Sequence, residues 1–214
     1  FTDITVAENR QFELYVKSFH YTSEHVSTKH LGEIFGFFEI PDITDDNAYI
    51  VNFLASVLKK EYFLHPKRTA EESLEATLHK MNMALAEVVK EGNAGWIGNL
   101  HAAIGVLTDD HTLHFSVTGE AAILLLRDDE IHTISAGLVD HDAEPHPLKT
   151  FVEISSGALL KSDKLIFTSP ELFELCPKST LKKNFLRMEG EAFDRFLHTM
   201  LVNELALGAC LLLE

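Results

Sequence analysis

The sequence predicts an α+β fold built from stacked layers, antiparallel sheet covered by helices. Three observations lead there. Strand-period segments cluster in the middle of the chain, joined by short hairpin turns. Two long segments of helical period follow one another directly, and further helical segments gather near the C-terminal end. The regular strand–helix–strand alternation of a parallel sheet does not occur, so the elements are segregated.

Composition sets the outer bounds. The chain has 214 residues, 46% hydrophobic and 24% charged, enough to bury one large core or two small ones. No apolar run approaches the length of a membrane span. The formal net charge of -15 argues against nucleic acid and anionic membranes, whose phosphates need a basic footprint. Lys59-Lys60 and Lys182-Lys183 are isolated pairs. Two cysteines, Cys176 and Cys210, provide neither a disulfide framework nor a structural zinc spacing. That leaves a reducing, cytoplasmic setting as the expectation. The chain begins at Phe1, so it is read as a fragment of a longer protein. With no low-complexity linker and no repeat, residues 1–214 are read as one domain.

The first element is a half-buried strand over 11–20, where Phe12, Leu14 and Val16 alternate with Glu13, Tyr15 and Lys17. A polar link from Thr22 to His30 leads to a second strand over 31–40, LGEIFGFFEI, which should pair with the first. Pro41 stops it just after Glu39. A helix spans Asp46–Leu64, with Asp45 or Asp46 as its cap and His65-Pro66 as its stop. A second runs from Thr69 to Glu91. Thr69 and Glu72 form a capping box, and Gly92-Asn93 a left-handed cap. The two helices should lie antiparallel on one face of a sheet.

Strand period then returns: Asn99–Leu107, Thr112–Val117, Ala121–Arg127 and Glu130–Ile134, read as a four-strand antiparallel meander. Its turns fall at Asp109-Asp110, Gly119 and Asp128-Asp129. Residues 136–149 form a surface loop. Phe151–Ser155 is a strand, Gly157–Asp163 a polar bridge and Lys164–Thr168 a buried strand. Pro170–Leu175, Leu181–Met188 and Glu191–Val202 are helices, and Leu205–Leu213 is a closing strand.

This order carries a set of local motifs. FGFFEI over 35–40 precedes two helices, and Gly98-Asn99-Leu100 opens the next strand. Gly119-Glu120-Ala121-Ala122 precedes the hairpin LLLRDDEIHTIS. Phe167-Thr168-Ser169-Pro170-Glu171 ends a buried strand, and Val202-Asn203-Glu204-Leu205 precedes ALGACLLLE. Taken together over nearly the whole chain, these resemble the PPM-type, metal-dependent serine/threonine phosphatases. The resemblance implies a four-layer α-β-β-α sandwich of two antiparallel sheets flanked by helices, with a metal centre at one edge of the paired sheets. It also implies chemistry by two divalent cations bridged by Asp carboxylates, with a metal-bound water attacking phosphorus.

The departures from the family pattern fall on the ligands. The family's Asp-Gly after the early strand is Glu39-Ile40 here, its Ser-Asp-Gly acid is Pro170, and the Asp of its final Asp-Asn pair is Asn203. The nearest match to the early Asn-Glu-Asp is Ser23-Glu24-His25, and Arg10 is the one candidate for a phosphate-recognising arginine. Magnesium and manganese require oxygen ligands, and anionic ones hold them best. The resemblance therefore implies a pseudophosphatase: a PPM-like binding or regulatory module for a protein partner, with no cofactor expected. The alternative is a divergent metal-dependent phosphatase acting on phosphoserine, phosphothreonine or a small phosphoester. It would use Glu39, Glu120 or Glu171, with magnesium, manganese, or zinc held by His25 and Glu39.

Each candidate has a plainer reading. Glu39 can be a hydrogen-bonded carboxylate at a strand end, and His25 a surface residue. The 12 histidines, among them His101, His111 and His114 near one hairpin, read as scattered surface or cross-strand residues. Asp42, Asp45 and Asp46 lack the frame of a calcium loop. Ser169 is in no nucleophile elbow, and Cys176 reads as a buried thiol. Trp96 can anchor a partner, but packing against a helix end is the commoner role.

Overall fold

The computed structural model describes residues 1–188 and 191–213. Ten strands form two antiparallel five-stranded sheets. The first sheet has the order β2 (Val16–Thr22), β3 (Glu33–Glu39), β4 (His101–Leu107), β5 (Thr112–Thr118), β8 (Ser155–Ala158). The second has the order β1 (Thr2–Ala7), β10 (Leu207–Leu213), β9 (Lys164–Thr168), β6 (Ala122–Arg127), β7 (Glu130–Thr133). Helices α1 (Ile50–Tyr62) and α2 (Ala70–Lys90) cover the first sheet. Helices α3 (Glu171–Leu175), α4 (Lys178–Arg187) and α5 (Ala192–Glu204) cover the second. The α-β-β-α sandwich expected from the motifs is the observed architecture.

Strand period two creates three apolar layers. Along β3, Ile34 and Phe38 face Leu54, Leu58, Leu78 and Met81 of α1 and α2. Phe35 and Phe37 point the other way, toward Ile123, Phe167 and Leu211 of the second sheet. On the far side of that sheet, Leu124, Ile166 and Leu212 meet Leu172, Phe193 and Leu197. The rings of Phe35 and Phe167 meet edge to face with centroids 5.2 Å apart. Gly105 makes this possible, because a Cβ there would sit 2.7 Å from atoms of both rings.

Local signals account for the best-defined boundaries. Thr69 Oγ1 accepts from the Glu72 N–H while the Glu72 carboxylate accepts from the Thr69 N–H, which fixes the start of α2. At its end Gly92 takes φ +100°, and the Asn93 N–H returns to the Val88 carbonyl. Asp128 and Asp129 both take positive φ, as the two-residue β6–β7 turn requires.

Several expectations are corrected. The strand placed over 11–20 begins only at Val16; Phe12–Leu14 is a 3-10 turn, and Tyr15 is buried. The strand β1 precedes it, with Ile4 and Val6 inward. The 22–30 link contains a 3-10 helix over Val26–Leu31. Helix α1 starts at Ile50 after Tyr49, with no side-chain cap, so neither Asp45 nor Asp46 serves as one. The meander is two hairpins in different sheets: β4–β5 belong to the first, β6–β7 to the second, and the chain crosses at Gly119 with φ +64°. Phe151 lies outside any strand. Its backbone is gripped by Asn82, which donates to its carbonyl at 2.8 Å and accepts from its N–H at 3.0 Å. The strand expected there is shifted to Ser155–Ala158.

Candidate functional site

The inter-sheet layer ends in a polar rim. Glu39 is the last residue of β3 and shares the inward face with Phe35 and Phe37. His101 opens β4 and is its register partner. From the second sheet, Ser169 continues the inward series Leu165, Phe167, and Glu171 follows at the start of α3. Strand β10 brings Leu207 and Ala209 to the same layer, both apolar. The crossover at Gly119-Glu120 closes the rim beside His101: the Glu120 N–H donates to His101 Nδ1 at 3.0 Å.

Glu39 is fully buried, and neither carboxyl oxygen has a hydrogen-bond partner. Burial pushes its pKa well above the ordinary carboxylate range, and the nearby Glu171 charge pushes it further. The neighbouring Ser169 hydroxyl offsets a part of this. That hydroxyl also accepts from the Ala209 N–H at 3.2 Å, which leaves its own hydrogen free to donate. One Glu171 oxygen is likewise buried without a partner. The rim therefore holds two carboxyl groups with few donors between them, and burial raises the pKa of Glu39. Burial also lowers the His101 pKa, with Glu171 and Glu120 acting against it. A neutral ring with Nδ1 as acceptor suits the bond from Glu120.

Tyr15 and Ile40 seal the rim from the outside. The Ile40 N–H donates to the Tyr15 carbonyl at 2.9 Å, and the Tyr15 hydroxyl donates to the Thr44 carbonyl at 2.9 Å. Together they hold the 41–49 segment over the strand ends. Beside the crossover opens a cleft of about 390 Å³, lined by Gly119, Glu120, Ser135, Gly137, Val139 and His141.

The remaining candidates are dispersed. His25 caps the 3-10 helix between β2 and β3, at the Glu33 end of β3. Glu33 and Glu39 are six steps apart, about 20 Å at roughly 3.3 Å per residue. His25 and Glu39 cannot share a zinc ion, and the Ser23-Glu24-His25 match is at the wrong end of the sheet. The segment that does reach the Glu39 end is 8–15, which joins β1 to β2. It carries the exposed Arg10 and ends in Tyr15. Pro170 precedes the first residue of α3, between Ser169 and Glu171. Asn203 is exposed on α5, four residues before β10, outside the rim. Trp96 is buried and packs against the α1–α2 layer. Cys176 and Cys210 are free and buried, and burial raises both thiol pKa values, that of Cys210 to about 12.

Sequence reading missed His101 and Tyr15. The first reaches the rim only through the register Glu39↔His101, and the second through a turn that interrupts the expected alternation. The residues present do not suit a two-cation centre. Among the described residues, no three His, Cys, Asp or Glu side chains are placed to hold a metal ion. The inward-facing positions around Glu39 are serine, histidine and apolar, and among the described residues Glu171 is the carboxylate whose charge acts on it. Hard divalent cations take six or more oxygen ligands and favour several anionic ones.

No protein-family model matches this sequence. No curated protein matches it either. Solved structures do. The serine/threonine phosphatase Stp1 from Staphylococcus aureus superposes with TM-score 0.73 at 11% identity, covering 99% of this chain and 92% of that one. The S. agalactiae serine/threonine phosphatase gives TM-score 0.70 at 11% identity, covering 99% and 96%. The catalytic domain of the serine/threonine protein phosphatase PstP, solved with two manganese ions, gives TM-score 0.62 at 13% identity, covering 92% and 96%. The fold is that of the PPM-type phosphatases.

Proposed function

We propose that this chain, folded as a PPM-type phosphatase domain, is catalytically silent and serves as a protein-binding, regulatory module in the cytoplasm. The observation that carries this reading is Glu39. It is sealed between the sheets with both carboxyl oxygens buried and without hydrogen-bond partners, and burial raises its pKa. A raised pKa weakens a carboxyl group as a ligand for a hard cation, because the cation must displace its proton. The positions that match the family's other acids are Pro170 and the outlying Asn203. The scaffold around them is complete, with two five-stranded sheets and both helical layers. In this reading the rim and its adjoining cleft offer shape and hydrogen-bonding groups to a protein partner, without a reactive centre. Among the described residues no helix is long and apolar enough to cross a membrane.

A second reading is favoured by one feature, the approach of Glu171 to Glu39 with Glu120 at the neighbouring crossover. It makes the chain a divergent metal-dependent phosphatase. The two separate in a turnover assay with para-nitrophenyl phosphate and a phosphoserine peptide, in millimolar manganese or magnesium. The silent reading predicts rates equal to those of a Glu39→Ala variant and of buffer. Metal-dependent turnover that the variant loses would overturn it.

A further inference from the structure

The cleft beside the crossover combines apolar walls with a single carboxylate. Val117, Ala121, Ala122 and Val139 supply apolar lining, and Glu120 is the one acid among the lining residues. Glu120 is exposed and forms no ion pair with any described residue. Ser135 lies at the base and is only 7% exposed. Its Oγ accepts from the Ile123 N–H at 3.0 Å, which leaves one lone pair and its own hydrogen for a guest. Charges next to the lining are mostly of one sign. Asp140 and Asp142 flank His141 in the chain, and both are exposed. Glu171 acts together with Glu120 on His101. Lys178 is the exception, and it is occupied: its Nζ donates to Thr133 Oγ1 at 2.7 Å and lies over the Phe173 ring at 5.3 Å.

We propose that this cleft receives an arginine side chain from a basic segment of the partner protein, with its guanidinium on Glu120. Size limits the guest first. Ligand pockets run from about 300 to 1,000 Å³, so a cleft of about 390 Å³ takes one long side chain and no folded element. Charge decides its sign. An unpaired carboxylate in the lining, acids beside it and a chain at -15 all favour a cation and steer it inward. The same charges repel a phosphorylated or acidic segment. Chemistry then selects among cations. Val117, Ala121 and Val139 can cover an aliphatic stem while its charged head stays at the wetter Glu120. Arginine has such a stem, and its planar fork of N–H donors fits a carboxylate in two parallel bonds. Lysine offers a point charge and is held less well at such a site. The remaining lone pair of Ser135 is a further acceptor for the same donors. The inference rests on the protein-binding part of the proposed function and names the chemistry of that partner. It does not use the absence of turnover.

The test is an NMR titration of the nitrogen-15-labelled full chain, without metal, with the blocked peptide acetyl-Gly-Gly-Arg-Gly-Gly-amide. Amide shifts that saturate with peptide concentration are expected at 117–122 and 133–141. A peptide with citrulline in place of arginine has the same shape without the charge, and it should bind roughly three- to tenfold more weakly. Glu120→Gln should lose about the same factor for the arginine peptide and nothing for the citrulline one. The exposed position of Glu120 leaves the fold intact, and an unchanged melting temperature checks this. A phosphoserine peptide of the same length should leave these amides unmoved. Shifts that do not saturate, or that spread evenly over the acidic surface, overturn the proposal. So does equal binding of the citrulline peptide, indifference to Glu120→Gln, or a phosphoserine peptide that takes the cleft. Metal-dependent turnover of a phosphoester would overturn the silent reading and leave these outcomes as they are.

Discussion

The layer between the two sheets has a middle and a rim, and the same strands make both. In the middle, Phe35, Phe37 and Phe167 pack tightly enough that Gly105 has no room for a methyl group. At the rim, two residues further along β3 and β9, stand Glu39 and Ser169. Glu39 is as fully buried as Phe37, yet its carboxyl oxygens make no hydrogen bond, and the Ser169 hydroxyl is the donor beside it. Burial of that kind costs free energy when a polar group is left without a partner. The middle therefore holds the sandwich together, and the rim is tolerated. In this division the sandwich depends on its middle and leaves the residues of the rim free to vary.

The largest effect is expected from the middle. Phe167→Ala removes a ring that touches Phe35 edge to face and faces the centre of the layer. It should cost about 3–5 kcal/mol in a urea or thermal unfolding measurement. A loss well under 1 kcal/mol would mean the sheets are held by their outer helices.

At the rim the expected effect is smaller and of opposite sign. Glu39 has a raised pKa in the fold, from burial first and Glu171 second. Its favourable contribution is fully present below the ordinary value near 4.5 and is lost as pH rises toward the folded value. Glu39→Gln removes that loss. The variant should melt higher than wild type, with a gap that widens from pH 5 toward pH 8. His101 acts in the other direction: its lowered pKa means stability falls as pH drops below the ordinary value near 6.5. Measurements above that pH isolate the Glu39 effect. A gap that stays constant or narrows with pH would show that Glu39 is ionised in the fold.

The middle of the molecule was far more legible in the sequence than the rim. Helix α2 announces itself locally, through Thr69, Glu72 and Gly92, because caps act over three or four residues. The hairpin at Asp128-Asp129 is equally local. Alternation revealed most strands, but period two says nothing about which sheet a strand joins. The four strands between 99 and 134 therefore looked like one meander, and the crossover at Gly119 passed as another turn. The rim suffers most from this, since its members come from β3, β4, the crossover, β9 and α3, and only register brings them together. Matching by motif placed Asn203 at the site, although α5 runs on past it and leaves it facing solvent. It placed His25 there too, because the turn after β2 has a suitable string of polar residues. The segment 8–15, at the Glu39 end, ends in a tyrosine and offered no acidic motif to recognise.

In the proposed reading the rim does not hold divalent cations. The most direct measurement is a calorimetric titration of the full chain with manganese chloride at pH 7.5, paired with melting temperatures at increasing metal concentration. A cation bound to the folded state alone would raise the melting temperature as its concentration passes the dissociation constant. No saturable heat and no such rise are expected up to millimolar manganese. Stoichiometric binding that disappears in Glu39→Ala would contradict it.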